Sequence, residues 1–151
     1  MKAIRPGVAA ACAVLLGTAV AAADGTKSYE VVDGTIPQSL TGKPGDPAAG
    51  KRAVVDRKLG NCLACHAISD LADQPFHGEV GPPLDGVADR WDEGSLRMLV
   101  VDAKTIYDGT IMPAFYRDGG FFRVKDTFAG KPILSADQVE DVVAYLKTLK
   151  E

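Results

Sequence analysis

Five consecutive residues, Cys62-Leu63-Ala64-Cys65-His66, constrain this chain more than anything else in its 151 residues. Two thiols separated by two residues, with an imidazole directly after them, form the attachment motif for a c-type haem. The chemistry dictates the spacing: two thiols must reach two vinyl groups of one porphyrin, and the next side chain must turn its ring onto the iron. One helical turn places all three on one side of the macrocycle. A bare Cys-x-x-Cys also suits a thioredoxin-like redox pair or half a zinc site. The first belongs beside a βαβ pattern, which is absent, and the second needs another Cys/His pair. Only His77 is left to supply one, so zinc fails on ligand count. The expectation is one covalent haem c on Cys62 and Cys65, with His66 as an axial ligand of the iron.

The start of the chain places that motif in an export context. Lys2 and Arg5 precede an uncharged apolar run from Val8 to Val20, and Ala21-Ala22-Ala23 follow it. This is the layout of a secretory signal peptide, expected over residues 1–23. The run is too short for a hydrocarbon core needing about 20 residues. Cys12 lies inside the run rather than just after it, which argues against a lipoprotein. No later run reaches spanning length, so the processed chain is expected in the periplasm without a membrane span. Of the 17 basic residues, two lie in this leader; none of the 20 acidic residues does. The remainder is mildly acidic, with no basic cluster to bind nucleic acid.

Residues 24–46 are rich in Gly, Pro and Thr, which punctuate structure rather than propagate it. They read as an extended segment laid over the domain surface, with Val31-Val32 and Ile36 as anchors and part of it docked against a partner. A first helix is expected from Asp46 and Pro47, N-cap and first helical position, to about Leu59. A second covers Ser95 to Ala103. The third is the clearest: Ser135 and Gln138 form a capping box. Val139, Val142, Val143, Leu146 and Leu149 repeat at helical spacing opposite Glu140, Asp141 and Lys147. Only Phe121 to Val124 hints at strand. The fold class is all-α, with long loops that a large planar cofactor would organise.

Met112-Pro113, in an irregular segment, offers the sixth ligand: a soft thioether that favours ferrous iron. Pro113 pushes Met112 toward an extended backbone. Met98 competes but lies on a helix, where methionine fills cores. His77 reads as an exposed loop histidine.

Gly81-Pro82-Pro83-Leu84 resembles the Gly-Pro-x-Leu loop of class I cytochromes c. That resemblance implies a class I fold over residues 47–151 and a hydrogen bond from His66 to the Pro82 carbonyl. It also implies that Tyr145 crosses the first helix, with Gly50 and Val54 facing it.

With both axial positions taken, no site is open to substrate, which points to electron transfer rather than peroxidase-like catalysis. Further stretches sharpen the likeness: Val31-Val32-Asp33-Gly34, Leu40 to Pro47, Asp56 to His66, Met112 to Tyr116 and Glu140 to Leu146. Together they resemble the SoxX family, the monohaem subunits of SoxAX cytochrome complexes in sulfur-oxidising bacteria. The likeness implies a heterodimer with a SoxA-type cytochrome subunit and a downstream electron-acceptor cytochrome. The implied complex is an L-cysteine S-thiosulfotransferase that couples thiosulfate to a carrier cysteine. Thiolate is the nucleophilic form of sulfur, and no cysteine remains after haem attachment, so this chain has no catalytic residue of its own. The alternative is a freestanding periplasmic electron shuttle.

Overall fold

The computed structural model describes residues 26–151; the expected leader, residues 1–23, lies outside them. Asp46 opens helix α1 (Pro47–Val55) by accepting a 2.9 Å bond from Ala48 N–H, with Pro47 at the first position. The helix stops at Val55, short of the expected Leu59, because Asp56 turns extended. A four-residue helix, α2 (Val87–Arg90), precedes α3 (Glu93–Asp102), which begins two residues before the expected Ser95. The side chain of Asp92 caps α3 by accepting from Ser95 N–H at 2.7 Å. In α4 (Ala136–Leu146) the capping box is complete: Gln138 N–H reaches Ser135 Oγ and Ser135 N–H reaches Gln138 Oε1. Among the described residues there is no strand, only one bridge between Val32 and Thr35. The strand hint at Phe121–Val124 fails where Arg123 takes φ 58°, which no strand accommodates.

Helix α4 crosses α1 on one flank and meets α3 on the other. The crossing is as close as the sequence implies. A Cβ added to Gly50 would overlap the Asp141 carbonyl oxygen and lie 2.9 Å from Tyr145 Cβ. Val54 is wholly buried beside it, and Val139, Val142, Val143, Leu146 and Leu149 join the same core.

Glu140 departs from expectation. It is 3 % exposed, not on a solvent face. Its carboxylate accepts from Arg97 Nε at 2.8 Å and from Arg97 Nη2 at 3.0 Å. A buried charge is tolerable only when paired and fully hydrogen-bonded, and this one is. Arg97 also donates to Glu93 and to the Ile36 carbonyl, while Leu40 N–H donates to Glu140.

The same network fastens the N-terminal segment. Ile36 is fully buried and its N–H reaches the Gly94 carbonyl at 3.1 Å. Further along, Asp46 N–H donates to Asp141 at 2.7 Å; at the start, Lys27 N–H donates to the Tyr116 hydroxyl at 2.8 Å. The segment is extended and lies over its own domain, as expected, and these contacts order it without a partner. Ile36 and Leu40 anchor it, whereas Val31 and Val32 stay exposed. No helix among the described residues is long and apolar enough to cross a membrane.

Candidate haem site

The attachment motif folds as a tight 3-10 turn, Cys62–Ala64, entered through Asn61 in the left-handed region. Cys65 N–H and His66 N–H both return to the Cys62 carbonyl, at 3.1 and 3.0 Å. Both cysteines are unpaired thiols and half-buried. Burial pushes the Cys62 thiol up to about 12. Redox-active Cys-x-x-Cys pairs work through a depressed thiol, the opposite direction to the shift at Cys62.

The loop after it zips onto the motif. Gly78 N–H donates to Leu63, Gly81 N–H to Cys65 and Leu84 N–H to Ala67, at 2.7, 2.8 and 2.9 Å. This brings the Gly81-Pro82 turn against the imidazole, and His66 Nδ1 lies 2.6 Å from the Pro82 carbonyl oxygen. A carbonyl only accepts, so Nδ1 carries the hydrogen and Nε2 keeps its lone pair for a metal. Gly81 makes room for the ring: a Cβ there would stand 2.7 Å from Nδ1 and 2.8 Å from Nε2. Two free thiols on one turn beside an imidazole with Nε2 open fit a covalent haem.

Sequence reasoning missed what holds Pro82. Asp85 accepts from Ser69 N–H and Oγ at 2.8 and 3.0 Å. Arg90 donates to the Asp85 and Pro83 carbonyls at 2.6 and 3.0 Å. Arg90 sits on α2, too short to leave a periodic signal. His77 is half-buried rather than exposed. Its Nδ1 accepts from Ile68 N–H at 3.2 Å and its Nε2 donates to the Leu71 carbonyl at 3.0 Å. Neither nitrogen is left to bind iron.

Met112 comes from a separate stretch. It is half-buried against the core, and its N–H donates to Thr110 Oγ1 at 3.2 Å. The chain after it is stitched to α3: Phe115 N–H reaches Val100 and Tyr116 N–H reaches Val101, at 3.3 and 3.2 Å. Met98, by contrast, is 2 % exposed inside the core.

Comparison with known proteins gives the family. Residues 47–150 match the cytochrome c family. The chain is 50% identical to a chain in the crystal structure of SoxXA from P. pantotrophus, with a TM-score of 0.78. That match covers 84% of this chain and 98% of the other. No curated protein matches. The fold is that of a class I cytochrome c, the covalent haem c of that family fits the Cys62 and Cys65 pair, and the chain belongs to the cytochrome c family, in its SoxX branch.

Proposed function

We propose that this electron-transfer cytochrome is the SoxX-type subunit of a periplasmic complex that couples thiosulfate to a carrier-protein cysteine. One observation carries the reading: the likeness to SoxXA extends over 98% of that chain at 50% identity, well beyond a shared haem motif. The proposed domain limits are a leader at 1–23, the extended segment at 24–46 and the cytochrome domain at 47–151. Cys62 and Cys65 attach the haem, His66 and Met112 are its axial ligands, and Pro82 orients His66. When bound, the haem supplies one-electron redox chemistry, and a Met/His pair biases it toward the ferrous state.

The residues around it divide the remaining work. Pro82 and Gly81 fix the imidazole, and Pro113 keeps Met112 out of helix. Val80 and Ile111, next to Gly81 and Met112, are 65% and 75% exposed, apolar surface of the kind partner proteins cover. No nucleophilic thiol is left once Cys62 and Cys65 are bound, so the sulfur-handling site belongs to a SoxA-type partner in a heterodimer. Electrons then leave through a downstream acceptor cytochrome.

Reconstitution tests this. The isolated holo-protein is expected to exchange electrons without forming any thiosulfate–cysteine bond. Adding a cysteine-bearing partner cytochrome that co-purifies with it is expected to start turnover. Coupling by the isolated chain would overturn the proposal. A chain that binds no such partner yet shuttles electrons would be a freestanding carrier instead.

A further inference from the structure

The end of α3 contains a buried acid that neither haem attachment nor the core requires. Asp102 is 4% exposed and is the last residue of the helix. A helix C-terminus carries negative partial charge, so a carboxylate there is on the wrong end. Burial adds a desolvation cost. Nothing within α3 compensates for either.

The compensation lies in the loop that leaves α3 and returns to it. Asp102 Oδ1 accepts from Lys104 N–H at 3.1 Å, where the loop departs. Asp102 Oδ2 accepts from Arg117 Nη1 at 3.1 Å, where the loop has come back. Between these two bonds lies Met112. Lys104 then reaches across, its Nζ donating to the Thr110 carbonyl at 2.7 Å, and Thr110 Oγ1 accepts from Met112 N–H. On the return side Arg117 also donates to the Gly119 carbonyl and stacks 4.7 Å over the Phe121 ring. Acid, lysine and arginine thus form one latch with the methionine loop inside it.

We propose that Asp102 is a positioning residue for Met112, holding both ends of the loop so that the thioether stays where iron can use it. This rests on the reading of Met112 as sixth ligand. The latch sets how often the loop opens, and so how readily an outside ligand replaces Met112.

Imidazole binding to the ferric holo-protein measures that opening, because it requires Met112 to leave. Asp102→Asn keeps the shape and removes the charge; it is expected to speed imidazole binding about tenfold, equivalent to about 1.4 kcal/mol. The thioether–iron charge-transfer band should fade on heating before global unfolding. Arg117→Ala, a change at a partly exposed side chain, should do the same and decides the matter if Asp102→Asn does not fold. Lys51→Ala, at the unrelated Lys51–Asp70 pair, should change neither readout. If Asp102→Asn and Arg117→Ala lower the melting temperature but leave imidazole rate and band as they were, Asp102 is merely structural and the proposal falls. Met112→Ala tests the underlying reading separately: a band that survives it overturns the ligand assignment, whatever the latch variants do.

Discussion

Between Asn61 and Gly86 the chain is zipped to itself backbone to backbone across the His66 ring, whereas between Ala103 and Arg117 the part around Met112 is closed by side chains. On the attachment side, main-chain bonds from Gly78, Gly81 and Leu84 reach Leu63, Cys65 and Ala67. On the methionine side, Phe115 and Tyr116 bond to α3 and Leu134 N–H to the Phe115 carbonyl through the backbone, while the stretch around Met112 itself is held by the side chains of Asp102, Lys104, Thr110 and Arg117. Backbone bonds form whatever the side chains are, so the first region is vulnerable chiefly to sterics. The second is vulnerable to the identity of single polar groups. On the proposed assignment, one ligand is thereby fixed and the other adjustable.

The largest effect should come from breaking the fixed side where it has no slack. Gly81→Val places atoms in the space of the His66 ring, so the imidazole must leave the Pro82 carbonyl. Holo-protein yield in a haem-maturing host should fall severely, read from the haem absorbance per chain. Normal yield with an unshifted spectrum would show that this side gives way more easily than its backbone bonds imply.

Next comes Met112, the proposed adjustable ligand. Met112→Ala should leave covalent haem in place, abolish the thioether–iron band and lower the reduction potential through loss of the soft ligand. Met98→Leu should keep the band and cost under about 1.5 kcal/mol, as a volume-conserving swap in the core. The reverse pattern would exchange the two methionines.

The two regions also differ in how plainly the sequence announces them. Cys62, Cys65 and His66 are legible because one turn carries them all, and the Ser135–Gln138 box because its two partners are three residues apart. Gly50 beside Tyr145 was reachable through the family pattern. What escaped was long-range and polar. Glu140 sits in a helix where its neighbours Asp141 and Lys147 do face solvent or its edge, and only Arg97, forty-three positions away, makes its burial possible. Asp102 and Arg90 are similar: each looks like an ordinary surface charge until its distant or carbonyl partners are seen. The N-terminal segment lacks helix or strand signals, and that same Arg97–Glu140 pair supplies part of its order.

That pair gives an intermediate test. Glu140→Ala leaves the buried Arg97 guanidinium with only the half-exposed Glu93 as counter-charge and should cost about 3 kcal/mol, the lower end of the penalty for breaking a buried ion pair from one side. Thermal unfolding measures it, and limited proteolysis should cut the segment before Pro47 first. A loss below about 1 kcal/mol would mean the pair is solvated in solution and the segment held by its other contacts, Ile36, Leu40 and the Asp46 and Lys27 bonds.

The smallest effect is the response to acid, and it compares the two regions through one carboxylate each. On the attachment side Asp70 is held below its ordinary value by hydrogen bonds from Lys51 and Tyr145. On the methionine side the Thr26 hydroxyl holds Asp118 down in the same way. A carboxylate lowered in the folded state adds stability that is present above its unfolded value and lost as pH falls through the folded one. Both contributions should therefore disappear below about pH 4. Each group is well solvated, so screening keeps the Asp70 share under about 1 kcal/mol. Tyr145 runs the other way. Burial, then the bond to Asp70, raises its phenol, so its contribution is present below the ordinary tyrosine value and is lost only as pH climbs through the raised one. Tyr145→Phe should thus move the Asp70 titration upward, followed by NMR of the carboxyl carbon, and leave Asp118 unmoved. Equal shifts at both aspartates would mean that the variant loosens the whole domain, and that the two sides of the site are less independent than their hydrogen bonds suggest.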